Sequence, residues 1–221
     1  MSTNVIAIDG PVASGKGTIA RLLASKLGWT NLSTGDIYRG MSVYMMRKNI
    51  DPFKTEQVVA ALEDLNMRVT IRDGVTLVFL SDEDITGELK TIEASKFVYK
   101  IALIPHVRAH ANKIQNIIAK DNNIICEGRD IGSVVFPDAK YKFYLDASVD
   151  VRAHRRWLQD RLQDPKLTVD QCKAGLQKRD LMDMNRKESP LVIAKGAIVV
   201  NTDNKSPEQV VDEMLWAIKG G

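Results

Sequence analysis

The chain has 221 residues, 44% hydrophobic and 27% charged, with a formal net charge of +3. That is ordinary for a soluble globular enzyme of one mid-sized domain, and so small an excess of base gives no ground for nucleic-acid binding. The two cysteines, Cys126 and Cys172, form no CxxC pair and no zinc spacing with His106, His110 or His154, which excludes a disulfide scaffold or zinc module.

In chain order, residues 5–8 are a short apolar run of the kind buried in parallel sheets. After a glycine-bearing stretch, residues 18–27 predict a helix with Ile19, Leu22, Leu23 and Leu27 on one face. Residues 30–32 predict a second strand and 36–47 a second helix. This β-α-β-α rhythm predicts an α/β fold, a doubly wound parallel sheet flanked by helices. The rhythm then breaks. Residues 56–66 look helical, and 67–71 and 75–80 are β-rich runs around Asp73-Gly74, a strong hairpin signal. Two strands alone are marginal, so an inserted subdomain with a small antiparallel sheet is expected over about 42–96. Further on, a helix is expected over 105–120, strands over 124–126 and 142–145, and a long basic helix over 150–163. Thr168 is placed to cap a helix running to 185, residues 197–200 predict a last strand, and Ser206-Pro207-Glu208 starts a closing helix.

The stretch Gly10, Pro11, Val12, Ala13, Ser14, Gly15, Lys16, Gly17, Thr18 lies between the first strand and first helix, the context a phosphate-binding loop requires. Glycines let backbone N–H groups turn inward, and the helix N-terminus adds its positive dipole end. Lys16 is then placed to reach the β- and γ-phosphates of a nucleoside triphosphate. Gly17 stands where such loops usually carry a hydroxyl, which arrives one place later at Thr18. Magnesium is therefore expected to be held by phosphates and waters, with Thr18 and Glu127 as candidates acting through water.

Three further motifs bring arginines to the edge where open α/β sheets collect ligands: STGDIYR (33–39), EGRDIG (127–132) and RDLMDMNR (179–186). Guanidinium groups suit bidentate contact with phosphate. Plainer alternatives stand beside this: Arg39 and Arg108 as surface residues, Arg129-Asp130 as an internal ion pair, Arg152, Arg155 and Arg156 as a solvated helix face.

Together with ITGELKT (85–91), PHVR (105–108), SVVFPDA (133–139), RAHRR (152–156) and Pro190-Leu191, these blocks make the chain resemble the bacterial-type cytidylate kinase family over nearly its whole length. The resemblance implies a P-loop core at about 1–41, 97–151 and 187–221, a monophosphate-binding insert at about 42–96, and a short lid with flanking helices at about 152–186. It implies that Arg39, Arg129 and Arg186 hold the acceptor phosphate, that Arg108 and Asp130 read the cytosine edge, and that Thr34, Arg179 and Asp183 lie near the sugar and its phosphate. Lys16, Arg129, Arg186, Arg152 and Arg156 would carry the catalytic charge. Where the family usually has a serine six residues before the proline at 105, this chain has Tyr99.

The implied reaction moves the γ-phosphoryl of ATP, with Mg²⁺, onto CMP or dCMP. The acceptor is a phosphate oxygen already ionised near pH 7, so catalysis rests on positioning and charge neutralisation without a general base. Another monophosphate (UMP, AMP) or a small metabolite such as shikimate as acceptor, and a non-catalytic nucleotide sensor, are the alternatives; the insert and the arginine set argue against them. The opening residues carry no basic leader and no apolar run reaches membrane-spanning length. A cytoplasmic monomer, with no nucleic-acid or membrane partner, is the expectation.

Overall fold

The computed structural model describes residues 4–72, 75–162 and 164–220. Its first half contains β1 (Val5–Asp9), α1 (Lys16–Leu27), β2 (Thr30–Ser33), α2 (Thr34–Arg47), α3 (Thr55–Glu63), β3 (Met67–Arg72), β4 (Val75–Leu80), β5 (Glu83–Asp84), α4 (Ile92–Ile101) and α5 (Pro105–Lys120). Then come β6 (Ile124–Glu127), β7 (Tyr141–Asp146), α6 (Val149–Asp160), α7 (Val169–Asn185), β8 (Ile198–Asn201) and α8 (Pro207–Lys219). The larger sheet has the order β2-β6-β1-β7-β8, with β7 parallel to both β1 and β8. This is the expected parallel α/β sheet. By compactness the described residues fall into two units, residues 30–124, and residues 4–29 with 125–220.

The second of these units is built on β1, all five residues of which are buried. A strand covered on both faces needs a continuous apolar run rather than alternation. Ile6 and Ile8 pack with Phe143, Leu145 and Val200 of the neighbouring strands, with Ile19 and Leu23 of α1, and with Val210, Val211 and Met214 of α8. Each such side chain contributes about 1.5–3 kcal/mol. Gly28 ends α1 at φ 65°, its N–H donating to the Ala24 carbonyl. Thr168 and Gln171 form a reciprocal cap on α7, as Ser206 and Gln209 do on α8. A second cluster, Ala153, Cys172 and Leu176, joins α6 to α7 and packs against Val12 and Ala13 of the phosphate loop. Cys126 and Cys172 are both free and buried, and burial pushes both thiols up, Cys126 strongly.

Residues 30–124 hold the antiparallel sheet β3-β4-β5. The two expected strands pair antiparallel, Met67 opposite Leu80 and Arg72 opposite Val75; Asp73 and Gly74 lie outside the described residues. Its inner face packs Val78, Met67 and Val69 against Val43, Ile85, Leu89 and Ala94. Two elements here go beyond the sequence reading. Strand β5 pairs only Asp84 with Phe79 and Glu83 with Leu80, too short to show a period. Helix α4 is capped by Thr91, whose hydroxyl accepts from the Ala94 N–H. The helices α3 and α6 end at Glu63 and Asp160 rather than at 66 and 163.

Candidate active site

The phosphate loop starts where β1 runs out of sheet. Gly10 has φ 148°, and a Cβ there would sit 2.1 Å from the Leu145 carbonyl oxygen, so only glycine fits. Ala13 and Gly15 also have positive φ, 62° and 93°, which folds the loop tightly in front of α1. Ser14 is fully buried, and its carbonyl accepts from the Thr202 hydroxyl at 3.3 Å. Arg155 in turn donates to the hydroxyl and carbonyl of Thr202, at 2.9 and 2.8 Å. Lys16, the first residue of α1, is 5% exposed. Its Nζ donates to the Pro11 carbonyl at 2.6 Å and lies 3.3 Å from Ser14 Oγ. Burial, then the nearby Arg129 guanidinium, push its pKa down to about 7; the carboxylates of Glu127, Asp9 and Asp183 oppose them.

Beside this loop three arginines converge on one buried carboxylate. Oδ2 of Asp183 accepts from Arg129 Nε and from Arg179 Nε, each at 3.1 Å. Its Oδ1 lies 3.9 Å from Arg186 Nη1. Arg186 also pairs with Asp130 at 3.5 Å, and its Nε donates to the Ser189 carbonyl. Arg129 and Asp130 come from the loop after β6, while Arg179, Asp183 and Arg186 lie along the last turns and C-terminal cap of α7. Successive turns of one helix thus present two guanidiniums and their shared counter-ion. Both members of the Arg129-Asp130 pair are engaged in ion pairs, Arg129 with Asp183 and Asp130 with Arg186. The second unit therefore gathers Lys16, Arg129, Asp130, Arg179, Asp183 and Arg186 of the expected set.

The other expected residues fall elsewhere. Arg152 is 7% exposed: its Nε donates to the Ala147 carbonyl at 3.0 Å, and its Nη1 to Asp180 at 2.6 Å and to the Val12 carbonyl at 3.3 Å. It is a strut between β7, α7 and the phosphate loop, not a solvated helix face. Arg156 is half-exposed and pairs with Asp160 one turn along α6, at 2.6 Å. Thr34, Arg39 and Arg108 belong to the unit 30–124. There Thr34 is buried at the start of α2, and Arg39 pairs with Asp36 at 2.9 Å. Arg108, on α5, is 6% exposed and donates to the Ala102 carbonyl at 3.2 Å. Tyr99 is 38% exposed on α4. Sequence reasoning passed over Thr202 and Asp180, which hold the loop and Arg152; Thr202 lies in no recognisable motif, and Asp180, inside the RDLMDMNR block, carries no signal that its partner is Arg152.

For a metal, the donors near the loop are few. A Cβ at Gly17 would lie 4.0 Å from Glu127 Oε1, which puts that carboxylate at the head of α1 next to Lys16. Thr18 is exposed on the same turn. Among the described residues no three His, Cys, Asp or Glu cluster as metal ligands. That donor set fits a hard cation carried on phosphate and water oxygens rather than caged by protein.

A phosphate loop leading into α1, with half-buried arginines gathered beside it on a buried carboxylate, defines a P-loop phosphotransferase, and the solved structures agree on the fold. A shikimate kinase from Bacteroides thetaiotaomicron superposes with a TM-score of 0.51 at 11% identity, covering 97% of this chain and 98% of that one. An uncharacterized protein from Eubacterium ventriosum does so with a TM-score of 0.56 at 10% identity, covering 98% and 99%. The cytidylate kinase family profile matches residues 6–220. Relatives named cytidylate kinase include one from Thermotoga petrophila, 39% identical over 97% of this chain and 96% of its own length. Others come from Caldicellulosiruptor bescii, 37% identical over 95% and 93%, and Klebsiella pneumoniae, 37% identical over 96% and 93%. The chain belongs to the cytidylate kinase family.

Proposed function

We propose that this protein transfers the γ-phosphoryl group of ATP to the phosphate of CMP or dCMP, giving ADP and CDP or dCDP. One observation carries the reading: Arg129, Arg179 and Arg186 gather on Asp183 in the same unit as Lys16 and the phosphate loop. One anion cradle serves a triphosphate, and a second cationic cluster serves a phosphate monoester.

The chemistry needs little from the protein beyond charge and alignment. An oxygen of the acceptor phosphate attacks the γ-phosphorus, the bond to the β,γ-bridging oxygen breaks, and ADP leaves with the electron pair. The nucleophile is already ionised, so no side chain has to remove a proton. Lys16 and the arginines offset charge that spreads over the equatorial oxygens. Magnesium, arriving with ATP, supplies further charge neutralisation when bound, with Thr18 and Glu127 holding its waters. Residues 10–18 hold the ATP phosphates. Arg129 and Arg186, with Arg39, hold the acceptor phosphate; Thr34, Arg179 and Asp183 border its sugar and phosphate; Arg108 and Asp130 read the cytosine. Arg156, half-exposed on α6, serves ATP by exchanging its Asp160 partner for phosphate, within the lid and flanking helices at about 152–186, while Arg152 acts through its ties to the phosphate loop. A cytoplasmic monomer completes the reading; no helix among the described residues is long and apolar enough to cross a membrane.

The test is a coupled ADP-release assay with ATP and Mg²⁺ across CMP, dCMP, UMP, dUMP, AMP, GMP and shikimate. CMP or dCMP is expected to lead the panel in kcat/KM by at least tenfold; another acceptor in that place sinks the reading.

A further inference from the structure

Asp9 is the last residue of β1 and stands immediately before Gly10. It is 3% exposed, yet it is an acid at the floor of a site built to bind anions. Its two oxygens are both used: Oδ1 accepts from the Ile131 N–H and Oδ2 from the Gly132 N–H, each at 2.8 Å. Those amides open the short π turn Ile131–Val135, and first-turn amides lack intrahelical acceptors. A carboxylate from a strand more than a hundred residues away supplies them.

The same segment is fixed a few residues earlier, where the Gly128 N–H donates to the Ile8 carbonyl at 3.0 Å. Residues 128–132 are therefore fastened at both ends to the last two residues of β1, and Arg129 and Asp130 are the two held between. On its other side Asp9 leads straight into Gly10, which lies so close to the Leu145 carbonyl that no side chain fits between them.

We propose that Asp9 is a positioning residue that sets the separation between the ATP-phosphate cradle and the acceptor-binding Arg129 and Asp130 by clamping the Ile131 and Gly132 amides. The proposal rests on the phosphoryl-transfer reading above and deepens it. A carboxylate is required because both amides donate; asparagine accepts with one oxygen and turns its own N–H₂ toward the other amide. The charged groups facing Asp9 are Lys16 at the start of α1, which favours its ionised form, and Asp130 on the clamped loop, which opposes it. Burial outweighs both the clamp and Lys16 and raises its pKa to about 6, so near pH 7.5 the clamp is closed.

The experiment compares wild type with Asp9→Asn and Asp9→Glu for kcat, acceptor KM and ATP dissociation constant. It also records the Asp9 ¹³Cγ and the Ile131 and Gly132 amide resonances between pH 5 and 8. A misplacement of about 1 Å between reacting groups costs roughly 10²-fold in rate. The expected result is a fall of about that size in kcat for Asp9→Asn, with ATP affinity within threefold of wild type and no rescue by Asp9→Glu. In wild type the two amides are expected to titrate together with the Asp9 carboxyl. A kcat within threefold of wild type overturns the proposal. So does a loss of ATP binding as large as the loss of kcat, which marks a collapsed loop instead. If Asp9→Asn does not fold, the wild-type resonances decide, and amides that ignore the Asp9 titration refute the clamp. A wild type inactive on every monophosphate, with the amide titration intact, refutes the phosphoryl-transfer reading and leaves the clamp standing.

Discussion

Replacing Asp183 by asparagine keeps the shape of the site and removes the charge that three arginines share. The native carboxylate accepts two charge-assisted bonds, from Arg129 and Arg179 at 3.1 Å, and faces Arg186 at 3.9 Å. Its side chain is 4% exposed, so water cannot take over. A hydrogen bond to a charged acceptor contributes about 1.5–3 kcal/mol and one to a neutral acceptor about 0.5–1.5. Two such downgrades, with three guanidiniums left facing one another, come to about 3 kcal/mol. For a chain of this size each kcal/mol moves the melting temperature by about 2–4 °C, so a drop of roughly 6–12 °C is expected by calorimetry. In turnover the same loss of order should lower kcat/KM for the acceptor by about 10²-fold, with KM for ATP little changed. A melting temperature within 2 °C of wild type, together with acceptor kcat/KM within threefold, refutes the view that Asp183 organises the arginines.

Burial brings the Lys16 pKa down to about 7 in the folded chain from the 10.5 of a lysine in water, so the unfolded state holds more protons between those values. This group's contribution to stability therefore rises with pH from about 7 to 10.5; ATP binding should reverse the shift and take up a proton at pH 8, seen by titration calorimetry in buffers of different ionisation enthalpy, and zero uptake counts against Lys16 meeting phosphate. Lys16→Ala should lower turnover by several orders of magnitude with far-UV circular dichroism unchanged. Gly10→Ala drives a methyl group to 2.1 Å from the Leu145 carbonyl and should cost on the order of 3 kcal/mol and abolish binding of a fluorescent ATP analogue. Ser206→Ala removes the cap on α8 and should cost about 1 kcal/mol in denaturant titration while leaving kcat unchanged.

The alternation of strands and helices was legible because β1, β6 and β7 are nearly continuous apolar runs and α1 shows a clear apolar stripe. The phosphate loop was legible because glycines at fixed offsets have a steric cause, seen at Gly10 and Gly15. The pairings were not. That Arg129 meets Asp183, 54 positions away, is a product of the β6 loop and α7 arriving at one place, and nothing local in either segment encodes it. Asp9 reads as a polar end to an apolar strand, since its partners are backbone amides that any sequence supplies. Arg152 sits in a basic run that suggests solvent, and only tertiary packing delivers Asp180 and the carbonyls that bury it. Helix α4 was missed for a different reason: its first turns carry Glu93, Ser95 and Lys96 beside a single buried Ala94, which blurs the period.

Burial of both thiols has a practical side. The thiolate is the form that alkylating reagents attack, and at Cys126 and Cys172 the surroundings oppose its formation. A maleimide dye offered to the native fold should therefore find almost no background target. Single cysteines introduced on the surface, one in each compact unit, can then be labelled as a pair without first stripping the chain of its own, and energy transfer between the dyes would follow the two units as nucleotides bind.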